Sequence, residues 1–170
     1  MRTISGFTLL FAMLLSTGLS IADQPSRYYA GLGFSGNLPE NDSEFKSSAG
    51  FQFFAGYNFD RKIGDIISLS AEIGYHDSGD FESKPLISGA NIVYKDSFNA
   101  AGIWLAGVFN YNVYKKLNLN AKIGVDLGDD DGSLFGVGAG YPISNQWRAN
   151  LDYIMRDASD SAQFNVIYQF

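Results

Sequence analysis

The chain has 170 residues, room for one domain. It carries 12 Lys and Arg against 18 Asp and Glu, a formal net charge of −6, and no basic patch offsets that balance, which excludes nucleic acid as a partner. It has no cysteine, which excludes a disulfide framework and requires another device to hold an exported domain of this size.

In chain order, Met1-Arg2-Thr3 forms a short basic start, Phe7 to Leu15 an apolar run too short to span a bilayer, and Ser20-Ile21-Ala22 a small-residue cleavage pattern. Residues 1–22 therefore read as a cleaved signal peptide, leaving a domain over 23–170. The remainder divides into eight runs of period two, over 28–36, 48–59, 66–77, 97–113, 117–128, 133–142, 146–156 and 161–170. The run over 66–77 sets Ile67, Leu69, Ala71, Ile73 and Tyr75 against Ser68, Ser70, Glu72 and His76. The uncharged stretch Ser97 to Tyr114 holds Asn99, Asn110 and Asn112 and is too polar for a spanning helix. The run over 117–128 sets Leu117, Leu119, Ala121, Ile123, Val125 and Leu127 against Asn118, Asn120, Lys122, Gly124 and Asp126. The run over 146–156 sets Trp147, Ala149, Leu151, Tyr153 and Met155 against Arg148, Asn150, Asp152 and Arg156, with Ile154 the exception. The last run sets Phe164, Val166, Tyr168 and Phe170 against Gln163, Asn165 and Gln169. Pro25, Pro39, Pro85 and Pro142 fall outside or at the ends of these runs, as residues that cannot donate to a ladder must.

Alternation fits a soluble lipocalin-like barrel with its apolar face inward, or a membrane barrel with it outward. Three features favour outward. The polar face mixes both signs in Glu72, Lys122, Asp126, Arg148, Asp152 and Arg156, with Gly136, Gly138 and Gly140 beside them, as a lumen filled by ion pairs requires. With both termini on one side, Tyr28, Tyr29, Tyr57, Phe59, Tyr111, Tyr114, Tyr141, Trp147, Tyr168 and Phe170 form a belt there. Connections on that side are short, while 37–47 and 77–96 on the other are long. No charge is expected on the apolar faces of 66–77, 117–128, 146–156 and 161–170. The reading is an all-β, eight-stranded antiparallel up-and-down transmembrane β-barrel.

With its signal peptide, eight strands and terminal Tyr168-Gln169-Phe170, the chain resembles the OmpA-like outer-membrane β-barrel superfamily. Ala71 to Asp77 is similar to that family's third-strand segment, and Gly138-Ala139-Gly140-Tyr141 through Trp147 to Asp152-Tyr153 to its strand–turn–strand segment before the last strand. The resemblance implies a Gram-negative outer-membrane location with periplasmic termini. It also implies a C-terminal signal for the barrel assembly machinery in Phe164, Val166, Tyr168 and Phe170. Because the chain stops at Phe170, no peptidoglycan-binding domain is expected.

Few residues offer chemistry. His76, the only histidine, forms a His-x-Ser pair with Ser78, the pattern of barrel lipid A deacylases; Glu72 lies about 13 Å along the strand, too far to orient it. Asp80 or Glu82 would serve only if 77–96 folds back. Asp129-Asp130-Asp131 lacks the spaced ligands of a calcium loop and reads as a solvated turn, with a weak divalent-cation role toward lipopolysaccharide as its alternative. Loop 77–96 holds two apolar clusters, Pro85-Leu86-Ile87 and Ile92-Val93-Tyr94, and reads as a hairpin or as a binding surface. The expectation is a non-enzymatic structural and interaction protein without a cofactor. Its partners are outer-membrane lipids, lipopolysaccharide, and a host or envelope protein met through loops 37–47 and 77–96. A narrow channel and a lipid A-modifying enzyme are the alternatives.

Overall fold

A computed structural model of the chain describes residues 27–40, 45–88, 91–93, 97–114, 116–129 and 131–170. The signal peptide expected over 1–22 lies outside the described residues. Among the described residues there are ten strands: β1 (Tyr28–Pro39), β2 (Ser48–Ile63), β3 (Ile67–Phe81), β4 (Leu86–Ser88), β5 (Asn91–Val93), β6 (Phe98–Tyr114), β7 (Leu117–Asp126), β8 (Gly132–Pro142), β9 (Trp147–Met155) and β10 (Ser159–Gln169). Eight of them close into a barrel in the order β1-β10-β9-β8-β7-β6-β3-β2, every pair antiparallel. Closure gives each ladder group a partner without water, which is what a strand protein in hydrocarbon needs.

The eight expected runs are the eight barrel strands. Differences fall at their ends. β1 continues to Pro39, and β2 continues past 59 to Ile63 through an irregularity between Asn58 and Lys62. The turn after β2 is tight because Gly64 and Asp65 both take positive φ, 58° and 59°, the mark of a primed hairpin turn. We call the end of the barrel holding Tyr28 and Gln169 the terminal end, and the other the loop end. Segment 77–96 is not one loop. It holds the last rungs of β3 to Phe81 and then the β4–β5 ribbon, which pairs Leu86 with Val93 and Ile87 with Ile92. A bridge between Phe45 and Ser83 ties the neighbouring connection to its base. Of loop 37–47, residues 37–39 belong to β1, while 41–44 lie outside the described residues.

The apolar faces point outward and the polar faces inward. Phe34, Ile73, Leu105, Ile123, Val137, Leu151 and Phe164 are all exposed, whereas Glu72, Lys122, Asp126, Asp152, Asn165 and Gln163 are buried. A soluble barrel would show the reverse. Two details correct the sequence reading. Tyr29, placed in the belt, turns into the lumen and is 2% exposed. Asp77, at the loop end of β3, shares the outward face with Tyr75, so that face does carry one charge; its Oδ1 accepts from the Gly79 amide and the Asn99 side chain. The rest of the belt with described exposure stays outward or half-buried at the terminal end, with Tyr28, Phe59, Tyr111, Tyr141, Trp147 and Phe170 exposed.

Leu151 sits at the middle of β9 and is 65% exposed. Leu151→Arg is expected to destabilise the barrel by about 2–4 kcal/mol in a bilayer, read as a lower urea midpoint in lipid vesicles. The same substitution in a water-facing wall would move the midpoint little.

Candidate functional site

Strand parity aims one side chain per two residues from every wall into the lumen, and the register stacks them in layers. The layer nearer the terminal end is built on Glu72 of β3 and Lys122 of β7. Lys122 Nζ donates to Glu72 Oε2 at 2.8 Å and lies 3.7 Å from Asp152 Oδ2. Tyr29 donates to the other Glu72 oxygen at 2.9 Å. Asp152 accepts from Asn120 at 3.0 Å and from Asn165 at 2.8 Å. Room for these groups comes from β8, where a Cβ on Gly138 would collide with the Asp152 carboxylate and the Leu151 carbonyl. Arg148 does not join the pairing: its guanidinium carbon stands 5.8 Å from the Tyr29 ring centre, and its buried Nε has no hydrogen-bond partner.

One inward rung toward the loop end the chemistry changes. Phe54, Trp104, Leu134 and Ile154 meet there, all at most 4% exposed, with the Phe54 and Trp104 rings 5.9 Å apart. Ile154, the exception in its run, is therefore a lumen residue. Lys122 Nζ lies 5.2 Å and 5.7 Å from the Phe54 and Trp104 ring centres, so the cation is held from both sides, by carboxylates below and aromatic faces above. Sequence parity could have found Phe54 and Trp104, since they share a face with Gln52 and with Gly102.

One rung further, Asp126 Oδ2 accepts from Arg156 Nε at 2.9 Å and lies 3.0 Å from His76 Nε2, off the line of a hydrogen bond. Arg156 also donates to Ser161, which accepts from Gln163. Gln52 bonds Gln163 at 2.7 Å and Asn165 at 2.6 Å, linking this layer to the first. The acid beside His76 is thus Asp126, two strands along the wall on β7, and not Asp80, Glu82 or Glu72. Ser78 donates to the Gly79 carbonyl and accepts from the Ala100 amide, and no hydrogen bond joins it to His76. Both side chains are buried in the lumen wall, away from lipid.

The remaining candidates are spread over the outside. Among the described residues no group of three His, Cys, Asp or Glu could hold a metal ion, and Asp130 of the Asp129–Asp131 run lies outside them. Phe164, Val166, Tyr168 and Phe170 line the outer face of β10 and the chain end, with the Tyr168 ring tilted on Trp147 and edge-on to Phe170. The two ends differ in charge. The described loop end holds Glu40, Asp77, Asp80, Glu82, Asp129, Asp131, Asp157 and Asp160 against Lys46 and Lys84. Among the described residues the terminal end holds Arg27, Arg61, Lys62 and Lys116 against Asp60 and Asp65. Arg27 donates to the Tyr57 hydroxyl and pairs with Asp60, and these partners hold its guanidinium above the usual arginine range. The lumen between is balanced, with Lys122, Arg148 and Arg156 facing Glu72, Asp126 and Asp152.

Removing one member of the first layer strands the others. Lys122→Met is expected to cost about 3–5 kcal/mol, since Glu72 and Asp152 lose their cation, while Glu72→Gln with Lys122→Met recovers part of it. Urea unfolding of the single and double variants in vesicles measures the coupling; additive losses would show that the pair is not an energetic unit.

No curated protein is matched by the sequence. Solved structures with the same fold are similar only in shape. A de novo designed transmembrane β-barrel aligns over 87% of this chain and 98% of its own at 13% identity and a TM-score of 0.50. Ail, the attachment invasion locus protein of Yersinia pestis, aligns over 86% and 100% at 12% identity and a TM-score of 0.50. Neisserial surface protein A aligns over 87% and 100% at 14% identity and a TM-score of 0.46. The family model described as the outer membrane protein beta-barrel domain matches residues 7–170, and with its closed antiparallel barrel, outward apolar wall and ion-paired lumen the chain belongs to that family.

Proposed function

We propose that the protein is a non-enzymatic structural and interaction protein of the Gram-negative outer membrane, exported by a signal peptide over 1–22, with periplasmic termini. The observation that carries this reading is the Phe54, Trp104, Leu134 and Ile154 layer held between two ion-paired layers. Eight strands leave an interior just wide enough for side chains, and here side chains fill it. A filled lumen speaks against the channel alternative. It also buries His76 and Ser78 where no acyl chain reaches, which speaks against a lipid A-modifying enzyme. What remains open to a partner is the loop end, where β3 and β6 rise into the β4–β5 ribbon and the ribbon base is tied by the Lys46–Glu82 pair at 3.0 Å. That surface is the contact site for a host or envelope protein, and Phe164, Val166, Tyr168 and Phe170 serve the assembly machinery.

In planar bilayers the wild-type protein is expected to give no conductance steps, and the Phe54→Gly/Trp104→Gly variant to give them. Steps in the wild type, equal to those of the variant, would sink the structural reading. For catalysis the check is lipid A mass spectrometry of cells carrying wild type or Ser78→Ala: identical acylation is expected, and a loss of deacylated species with Ser78→Ala overturns the non-enzymatic assignment.

A further inference from the structure

The charge at the terminal end lies on an arc. β2 carries three residues, Phe59, Asp60 and Arg61, between the rungs Asn58↔Ser70 and Lys62↔Ser68, where β3 has only Leu69. This bulge lifts Asp60 and Arg61 off the ladder, and Lys62 rejoins it opposite Ser68, next to the β2–β3 turn. At the β6–β7 hairpin the ladder is irregular again, between Asn112 and Tyr114, and Lys116 stands in the turn that follows. β2, β3, β6 and β7 are successive walls, so Arg61, Lys62 and Lys116 span about 10–15 Å at the strand spacing. All three are exposed and make no ion pair among the described residues, whereas Asp60 is engaged by Arg27. Lys62 lies three residues past the exposed ring of Phe59, within about 7 Å along the barrel wall, because the bulge matches four residue steps of β2 to two of β3. Aromatic belts sit at the membrane–water boundary, so these cations stand at the depth of lipid phosphates. Ile63 and Ile66, 50% and 60% exposed, lie beside them at the hairpin tip.

We propose that Arg61, Lys62 and Lys116 form a binding arc for anionic phospholipid headgroups in the leaflet at the terminal end. The proposal rests on the membrane reading of the barrel and goes beyond it, in naming a leaflet and a headgroup class. The opposite end has the wrong sign for the same lipid, with eight described carboxylates against two lysines, so the protein is electrically polar across the membrane. Each cation near an anionic surface adds attraction that falls off within a Debye length, which makes the binding salt-sensitive.

The test is lipid retention by native mass spectrometry, on protein folded into phosphatidylcholine vesicles containing a minor fraction of phosphatidylglycerol. Wild type is expected to retain phosphatidylglycerol enriched about fivefold over its share of the vesicle at low salt, with enrichment falling as salt rises. Arg61→Gln/Lys62→Gln/Lys116→Gln is expected to lose the enrichment. Lys46→Gln/Lys84→Gln at the loop end keeps it, and Arg61→Lys/Lys62→Arg/Lys116→Arg restores it. Lys116→Gln alone, in an exposed turn outside the ladder, gives a partial loss and serves if the triple variant does not fold. Equal phosphatidylglycerol retention in wild type and the neutralised variants overturns the proposal. So does displacement of the lipid by inorganic phosphate or polyphosphate, which would make the arc a site for soluble anions. A barrel that folds normally but shows no enrichment overturns the arc and leaves the membrane reading standing; a barrel that fails to enter vesicles at all overturns both.

Discussion

Everything in this molecule follows from one constraint: a backbone that crosses hydrocarbon must satisfy its own hydrogen bonds. Strands can do so only by closing the sheet. Closure at eight strands then sets a second condition, because the interior is too narrow for bulk water and too polar, by alternation, to be an oil core. The polar faces must neutralise one another inside. The chain meets this with three cations and three carboxylates in the lumen, and with amides that bridge them, such as Gln52 to Asn165 and Asn165 to Asp152. The lumen takes the role that a hydrophobic core plays in a soluble protein, with ion pairs and amides as its packing units.

Buried ion pairs are poor sources of stability by themselves, since desolvation offsets much of their attraction. The layered arrangement addresses this. Lys122 contacts two carboxylates and two aromatic faces, so no polar direction around it is left empty. Trp104 and Phe54 exclude water from the pair and so strengthen it. The glycines of β8 are the geometric counterpart: they give up side chains so that Asp152 and Asn150 can lie flat against the wall. Charge placement and missing Cβ atoms thus solve the same packing problem from neighbouring strands of the barrel.

The strands, their parity and the direction of their faces were legible in the sequence, because period two is a local property and a mixed-charge face has few stable locations. Partners across the lumen were not. Glu72 and Lys122 stand on non-adjacent strands, and which inward residues share a height depends on the stagger of closure, which no local pattern encodes. Tyr29 was misread for a related reason: it follows Tyr28, and a belt of neighbouring aromatics hides the fact that adjacent residues face opposite ways. The bulge that extends β2 to Ile63 left no mark either, since Asp60, Arg61 and Lys62 read as the start of a turn.

The His76–Ser78 pair illustrates why residue spacing alone does not assign chemistry. Two residues apart on a strand guarantees a shared face, and here the shared face is the inner one. Its acid, Asp126, is committed to Arg156, and Ser78 is committed to backbone groups that tie β3 to β6 at the rim. A hydrolytic site on a barrel needs its nucleophile on the wall that meets lipid. The outer wall at that height instead shows Tyr75 and Asp77 on β3, with Asp77 closing a turn around Gly79 rather than activating a neighbour. The side chains that resemble a catalytic pair are therefore parts of the filled lumen and of the loop-end rim, and the β4–β5 ribbon between β3 and β6 lies above them.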